Sequence, residues 1–280
     1  MKIFKGIEPL KAYLQDGRLK GNSIGLVPTM GALHDGHISL IKASKQENQI
    51  TVCSIYVNPT QFNNPDDLLK YPRTLETDLV LLENVGCDVV FCPANEEMYD
   101  ETSNLSFDFG ELGEVMEGQY RPGHFSGVAL VVSKFFNIVQ PNHAYFGQKD
   151  WQQFAILQKL VDELKFNLIL HRVDTVREWD GLAMSSRNLR LDKSQRAKAV
   201  IFYQSLLMAK ELLSAGHEVG NVKQQVLDKV ENQGLKLDYF EVADRKNLNL
   251  LKSVKGRENQ SIMCIAGFVG EIRLIDNMFV

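Results

Sequence analysis

This 280-residue sequence lacks both a long apolar run and a targeting segment. No apolar stretch approaches the roughly 20 residues that a membrane-spanning helix needs. The amino-terminal stretch MKIFKGIEPLKAYLQDG has neither the apolar core nor the cleavage signal of a secretory peptide. These absences predict a cytoplasmic protein that has no membrane partner.

Cysteine pairs at metal-ligand spacing are also missing. The four cysteines form no Cys-x-x-Cys motif, and Cys53, Cys92 and Cys264 lie in apolar runs. We expect buried, free thiols in a reducing compartment, because disulfides are rare there.

A basic charge balance is absent as well. The formal net charge is -4 and the pI is about 5.9. Such a field does not attract nucleic acid over long range, so we expect no nucleic-acid partner. Hydrophobic residues make up 44% of the chain, which is ordinary for a globular core.

Strand-like and helix-like stretches alternate up to about residue 177. The run ITVCSIYV is β-branched and apolar, which is typical of a strand buried on both faces. The pattern predicts a parallel sheet with helices on both faces, an α/β fold. Predicted strands are 23–27, 50–57, 88–91, 144–146 and 168–173, and predicted helices are 38–47, 73–84, 127–139 and 150–164.

The carboxy-terminal part has a different pattern. One long helix is predicted over 192–215, with Asp192 as its N-cap and Gly216 as its stop. A helix over 219–232 and strands over 236–242, 261–268 and 271–275 follow. We therefore predict two domains, 1–177 and a smaller α+β domain 178–280. The segment 109–127 is predicted to be a loop.

The segment PTMGALHDGH follows a predicted strand and precedes a helix. Ligands bind at the carboxyl ends of strands in open α/β sheets, and a helix amino terminus favours an anion. His34 and His37 could donate hydrogen bonds to phosphate or move a proton, and Gly31 lets the backbone approach a ligand. Two ordinary loop histidines remain an alternative, whereas zinc is disfavoured because no third ligand lies nearby.

Three further clusters follow predicted strands. AMSSRN offers the hydroxyls of Ser185 and Ser186 and a planar guanidinium at Arg187, although such a triplet alone is a common surface turn. YFGQKDWQQF contains Lys149, Asp150 and Gln153, and Lys149 could stabilise charge on phosphate. VNPTQF contains Asn58 and Gln61, whose amides suit hydroxyl or carboxylate recognition, or which form only a turn.

The His-x-Gly-His pattern and the AMSSRN segment together resemble the nucleotidylyl-transferase superfamily, which is related to class I aminoacyl-tRNA synthetases. That resemblance implies ATP binding, attack at the α-phosphate and loss of pyrophosphate. With YPRTLETD (71–78) and RPGHFSGV (121–128) added, the chain from residue 24 to about 276 resembles the pantothenate synthetase (pantoate–β-alanine ligase) family.

The family resemblance implies two half-reactions. The pantoate carboxylate attacks the α-phosphorus of ATP, giving pantoyl adenylate and pyrophosphate. The amine of β-alanine then attacks the acyl carbon, which releases AMP and pantothenate. It also implies Mg²⁺ bound with ATP, a Rossmann-like amino-terminal domain, a carboxy-terminal lid domain and a homodimer.

The resemblance assigns roles to residues at matching positions. His34, His37 and Lys149 are the expected catalytic residues, with His37 as the proton donor. Asn58, Gln61 and Gln153 are expected at the pantoate and β-alanine site, Asp78 at a magnesium position, and His124 and His143 in loop or structural roles. The expected ATP-binding residues are Met30, Gly31, His34, His37, Gly147, Gln148, Lys149, Asp150, Val176, Met184, Ser185, Ser186 and Arg187.

Three other functions remain to be distinguished. A nucleotidylyl transferase of another kind would keep its nucleotidyl product and release no AMP. An aminoacyl-tRNA synthetase fragment would need an RNA-binding region, for which this acidic chain offers no obvious candidate. A non-catalytic ATP-binding module would tolerate the loss of His37 and Lys149.

Overall fold

The structure is a computed structural model that describes residues 1–99 and 103–280. It separates into two compact units. The first unit comprises Met1–Phe109, Arg121–Gly147 and Ile156–Asp174, and the second comprises Gly110–Tyr120, Gln148–Ala155 and Thr175–Val280. Segments 110–120 and 148–155 therefore belong to the second unit, although the sequence placed them in the first domain. The functional division at 177/178 stays a prediction.

The first unit is built on a six-stranded sheet. The strands are β1 (Lys2–Phe4), β2 (Ile24–Thr29), β3 (Ile50–Ile55), β4 (Val89–Phe91), β5 (His143–Gly147) and β6 (Ile169–Val173). They lie in the order β1-β4-β3-β2-β5-β6, and each recorded pairing is parallel. The predicted α/β class is confirmed. The strand order reverses at β2, which pairs with both β3 and β5, and such a reversal is where open α/β sheets bind ligands.

Helices occur in both units. In chain order they are α1 (Ile7–Leu19), α2 (Asp35–Glu47), α3 (Pro65–Lys70), α4 (Leu75–Asn84), α5 (Asn95–Met98), α6 (Glu111–Glu114), α7 (Glu117–Tyr120), α8 (His124–Val139), α9 (Trp151–Leu164), α10 (Lys193–Ala199), α11 (Ile201–Ser214) and α12 (Val219–Glu231). No helix among the described residues is both long and apolar enough to cross a membrane. Helix α8 is apolar on nearly every face and is buried accordingly.

The second unit contains an antiparallel sheet in the order β7-β8-β9. Its strands are β7 (Lys236–Asp244), β8 (Ser261–Val269) and β9 (Ile272–Phe279). Apolar side chains of α11 and α12, among them Phe202, Leu206 and Val226, share one buried core with Met263 and Ile265 of β8. The predicted α+β character of this region is confirmed.

Two local predictions were wrong. The predicted loop 109–127 contains α6, α7 and the first turn of α8. Glu117 there accepts two hydrogen bonds from Arg273, at 2.8 and 2.7 Å, so a partner distant in sequence orders a segment that its glycines and charges made look irregular. The single helix over 192–215 is divided at Val200 into α10 and α11. The apolar pattern continues through the break, which is why the sequence does not show it.

The helix caps of this region follow the sequence more closely. The Asp192 side chain accepts a hydrogen bond from the backbone of Gln195, at 2.8 Å, and the Gln195 side chain bonds back to the backbone of Asp192. This is a capping box. Gly216 follows α11 with a φ of 86°, a left-handed conformation that favours glycine. Both predicted ends are confirmed.

The cysteines are all free, and Cys53, Cys87 and Cys264 are buried. Burial raises the pKa of the Cys87 thiol to about 11. Cys92 is only half-buried, so the expectation of buried thiols is confirmed for the other three. A raised pKa keeps a thiol protonated and unreactive at neutral pH.

Candidate active site

The loop after β2 places two histidines at the amino terminus of α2. His34 is the N-cap, and its Nδ1 accepts a hydrogen bond from the backbone N–H of Gly36 at 3.1 Å. The Nδ1 of His37 accepts one from the backbone N–H of His34 at 3.3 Å. A neutral imidazole that accepts at one nitrogen carries its hydrogen on the other. Both rings, whose centroids are 4.0 Å apart, therefore carry that hydrogen on Nε2.

Asp78, in the first turn of α4, holds this loop. It is 1% exposed, and its two carboxylate oxygens accept the backbone N–H groups of Ala32 and Leu33 at 2.9 and 2.8 Å. Gly31 has a φ of 77° and Ala32 a φ of 49°. A left-handed conformation is unfavourable for alanine, so the carboxylate stabilises a strained turn just before the histidines.

Three residues predicted to bind substrates contact one another: Asn58 and Gln61, which follow β3, and Met30, which follows β2. Asn58 is buried, and its Nδ2 donates to Oε1 of Gln61 at 3.3 Å. The Oδ1 of Asn58 accepts a hydrogen bond from the Tyr99 hydroxyl at 2.9 Å. The Nε2 of Gln61 donates to the Met30 sulfur at 2.8 Å. The amides that the sequence singled out are therefore oriented by their neighbours.

Helix α8 packs closely against the turn that carries Gln61. A Cβ at Gly127 would lie 2.2 Å from the carbonyl oxygen of Thr60, so only glycine permits this approach. His124, the first residue of α8, donates from Nδ1 to the Gln61 carbonyl at 2.9 Å. His124 therefore lies in a helix and not in a loop, and its buried ring has the structural role that was the other part of the expectation, because it positions Gln61. The glycine three residues later was the available sequence signal.

Gly147 ends β5, the strand beside β2. A Cβ built there meets no atom within 4 Å. The predicted site residues of the first unit thus lie at the carboxyl edge of its sheet. They end β5, follow β2 or β3, or, in the case of Asp78, hold the loop after β2. They are Met30, Gly31, His34, His37, Asn58, Gln61, Asp78 and Gly147.

In the second unit, Lys149 lies in a 3₁₀ turn, Gln148–Asp150, that leads into α9. Its Nζ lies 3.7 Å from a carboxylate oxygen of Asp150. Asn277 of β9 was not predicted, yet its Nδ2 donates to the carbonyls of Gln148 and Lys149 at 2.9 and 2.7 Å. The sequence feature that could have identified Asn277 is the polar pair Asp276-Asn277 within an otherwise apolar strand. Gln153, in the first turn of α9, is half-buried.

The AMSSRN segment is also held within the second unit. The Met184 N–H donates to the Val176 carbonyl at 3.0 Å, which brings two predicted ATP-binding residues together. The Ser185 hydroxyl accepts the Arg187 N–H at 3.3 Å and caps a 3₁₀ turn. Ser186 is buried. The segment is therefore a structured turn.

Ion pairs stabilise the segment that leads from Val176 into this turn. Arg196 donates to Asp180 at 2.8 Å and to Glu178 at 2.6 Å. Hydrogen bonding from Arg196 holds the pKa of Asp180 below its usual value. Arg177 donates to Asp276 at 2.6 Å, where burial nevertheless raises the pKa of the Asp276 carboxyl. The guanidinium groups thus neutralise carboxylates that the fold withdraws from water.

Comparison with known proteins gives one consistent family. The family model described as Pantoate-beta-alanine ligase matches residues 2–279. Pantothenate synthetase of Fervidobacterium nodosum is 45% identical, over 100% of this chain and 99% of that protein.

Solved structures agree with that assignment. Pantothenate synthetase from Thermus thermophilus has a TM-score of 0.92 at 38% identity, covering 100% of this chain and 99% of that one. Pantoate-beta-alanine ligase from Francisella tularensis, complexed with beta-gamma ATP and beta-alanine, has a TM-score of 0.85 at 35% identity, covering 100% and 97%. The chain therefore belongs to the pantoate-beta-alanine ligase family.

Proposed function

We propose that this chain condenses (R)-pantoate with β-alanine in an ATP-dependent reaction that passes through pantoyl adenylate. One observation carries the proposal. The hydrogen bonds at the amino terminus of α2 fix both His34 and His37 in the tautomer with Nε2–H, beside the strand at which the sheet order reverses. That arrangement suits phosphate oxygens, and family membership identifies the substrates.

In the first half-reaction, a pantoate carboxylate oxygen bonds to the α-phosphorus of ATP and the bond from that phosphorus to the departing pyrophosphate oxygen breaks. Phosphoryl transfer depends mainly on positioning and on neutralising charge. We assign phosphate binding to His34 and His37 through their Nε2–H groups. For the proton transfer assigned to His37, the ring would first be protonated at Nδ1 and give up its hydrogen bond from the His34 N–H; it would then donate the Nε2 proton to pyrophosphate and return to neutral imidazole. We assign Lys149 to the oxygens of ATP and pantoate.

Other residues hold the nucleotide in this proposal. Ser185, Ser186 and Arg187 bind the triphosphate through hydroxyl and guanidinium donors. The remaining contacts to ribose, adenine and phosphate are assigned to Met30, Gly31, Gly147, Gln148, Asp150, Val176 and Met184.

In the second half-reaction, the amine of β-alanine bonds to the acyl carbon and the bond from that carbon to the AMP oxygen breaks. Gln61 and Gln153 hold pantoate, Gln61 also lies near β-alanine, and Asn58 supports Gln61 through the hydrogen bond already described. Adenylation has made the carboxylate electrophilic, so no serine or cysteine nucleophile is needed.

Among the residues that the structure describes, Asp78 does not fit a protein-held magnesium site. Both oxygens of Asp78 already accept backbone N–H groups. The grouping of potential ligand atoms found among the described residues does not include Asp78. We propose instead that Mg²⁺ enters with the ATP phosphates, as this hard cation commonly does.

The homodimer and the cytoplasmic location also belong to this proposal. The homodimer comes from the family resemblance, and the location comes from the sequence features and unpaired cysteines described first. Sedimentation equilibrium of the purified chain measures the first directly. A monomer at micromolar concentration would contradict it.

A product assay tests the proposed reaction. Purified protein is incubated with ATP, Mg²⁺, (R)-pantoate and β-alanine, each omitted in turn, and the products are identified by mass spectrometry. We expect AMP and pantothenate in equal amounts only when all substrates are present. Pyrophosphate without pantothenate would indicate another acceptor, a stable nucleotidyl product would indicate a different transferase, and ATP binding without turnover would indicate a non-catalytic module.

A further inference from the structure

A second cluster of polar side chains lies on the first unit, outside the residues assigned to ATP, pantoate and β-alanine. His143 begins β5, and His171 of β6 pairs in register with Tyr145 of β5. Side chains two apart on a strand, and those of paired residues, share a face of the sheet. Glu47, the last residue of α2, reaches the same face. Two imidazoles and one carboxylate therefore converge.

The distances within this cluster resemble those of a metal site. The Oε2 of Glu47 lies 3.5 Å from Nδ1 of His143 and 3.3 Å from Nε2 of His171. Tetrahedral coordination with bonds of about 2.0–2.2 Å separates ligand atoms by about 3.3–3.5 Å. The two ring nitrogens are closer, at 2.7 Å, because they share a hydrogen bond, which a bound cation would replace.

Solvent reaches all three side chains of this cluster. The side chains of His143 and His171 are about one quarter exposed, and that of Glu47 nearly half. The site is thus reached from solvent, while the strands fix the backbone of both histidines.

A buried hydroxyl orients the carboxylate. Tyr145 is 1% exposed, donates to Oε2 of Glu47 at 2.7 Å and accepts from Nδ2 of Asn48 at 2.8 Å. Outer hydrogen bonds of this kind fix ligands in metal sites and strengthen binding by about 10- to 100-fold. A chance surface grouping of two histidines and a glutamate would not need such support.

We propose that Glu47, His143 and His171 bind a divalent d-block cation, with Zn²⁺ as the best match and water as the fourth ligand. Two imidazoles and a carboxylate suit zinc, whereas Mg²⁺ prefers oxygen ligands alone. The cation would join the carboxyl end of α2 to β5 and β6. Since α2 has 13 residues and rises about 1.5 Å per residue, this end lies about 15–20 Å from the histidines at its amino terminus. At that distance the cation would not contact the proposed reaction site, so we assign it a role in stabilising the fold.

Zinc binding by the full-length, metal-stripped protein tests this assignment. Isothermal titration with ZnCl₂ in the absence of ATP is performed on the wild type and on H171A, E47Q and Y145F. We expect one tightly bound Zn²⁺ per wild-type chain. Removing a ligand should weaken binding at least about 100-fold, and Y145F should weaken it about tenfold because the carboxylate loses its orienting bond. Zinc should raise the Tm of the wild type but not of H171A.

Two histidine variants serve as matched controls. His217 is exposed in the second unit, and H217A should bind zinc as the wild type does. H37A removes one member of the His34–His37 pair and should also retain zinc binding. Circular dichroism checks each fold, and E47Q decides the question if H171A does not fold. Absence of zinc binding at micromolar concentration, or binding that H37A abolishes and H171A leaves intact, would overturn the proposal.

Discussion

His34 and His37 combine an observed structural role with the catalytic role that we propose for the same side chains. Their Nδ1 atoms satisfy backbone N–H groups at the start of α2, which a helix end otherwise leaves unpaired. This capping sets the tautomer. The alternative of two ordinary polar loop residues is thus partly correct, because the rings stabilise the loop as well as suiting phosphate. The sequence revealed the location of the pair, but not the hydrogen bonds that orient it.

Lys149→Ala tests the proposed charge stabilisation. We expect adenylate formation, measured as pyrophosphate release with pantoate and ATP, to fall about 10²- to 10³-fold, as when one charge-stabilising donor is removed. The unfolding free energy should change little, because the recorded partner of the ammonium group is a carboxylate of the neighbouring residue at 3.7 Å.

Lys159→Ala is the control for that experiment, since Lys159 lies on α9 with a half-exposed side chain. Near-normal turnover in the Lys149 variant would remove Lys149 from the mechanism.

Gln153→Ala tests substrate recognition. We expect the KM for pantoate to rise about tenfold or more, because a lost hydrogen bond to substrate leaves a polar group unpaired. The KM for ATP should stay within about twofold of the wild type. Gln158→Ala, on the same helix, is the control. A change confined to ATP would contradict the assigned role.

Asp78→Asn separates loop positioning from metal binding. Asparagine offers one acceptor where aspartate offers two, so one backbone N–H of Ala32 or Leu33 loses its partner. We expect the unfolding free energy to fall by about 1–3 kcal/mol and kcat to fall with it, while the Mg²⁺ concentration for half-maximal activity stays constant. Urea unfolding and a magnesium titration measure these effects, with Glu76→Gln on the same helix as control. A large rise in the magnesium requirement at unchanged stability would make Asp78 a metal ligand after all.

At the scale of elements, the hydrophobic pattern predicted the strands and helices that depend on local sequence. The β-branched run that became β3 and the apolar run that became α8 were recognised because most positions in each are apolar and most are buried. Helices α6 and α7 were missed because the Glu117–Arg273 pair joins segments far apart in sequence. The break between α10 and α11 was missed because the apolar pattern runs through it.

The turn between Val176 and Met184 should respond to acid through Asp180. Its pKa is lowered in the folded protein by the hydrogen bond from Arg196. Its stabilising contribution is therefore complete above the ordinary aspartate pKa and is lost as the pH falls through the lowered value. Asp276 acts in the opposite direction, because burial raises its pKa and its protonation favours the folded state.

The variant Asp180→Asn isolates the contribution of Asp180 to the pH dependence of stability. We expect its unfolding free energy to fall less than that of the wild type between about pH 5 and about pH 3. Urea unfolding at several pH values measures the difference, and Asp174→Asn, at an exposed position, is the control. Parallel curves for Asp180→Asn and the wild type would contradict the assignment.

At the scale of the whole molecule, the sequence revealed more of the chemistry than of the organisation. The four motifs and the family resemblance identified the reaction, since they depend on residue types at short spacing. The grouping of 110–120 and 148–155 with the second unit could not be predicted, because it follows from packing between distant segments. Asn277, which holds the backbone of Lys149, was missed for the same reason. The action of the second unit as a lid stays a prediction.

The pantoyl-adenylate pathway is the central claim, and transfer of an oxygen isotope tests it most directly. Pantoate labelled with ¹⁸O in its carboxylate is converted with ATP and β-alanine, and the nucleotide product is analysed by mass spectrometry. Because the carboxylate oxygen that attacks the α-phosphorus stays on phosphorus when the acyl carbon is attacked, we predict AMP that carries one ¹⁸O. Unlabelled AMP, or ADP with the label in inorganic phosphate, would contradict attack at the α-phosphate.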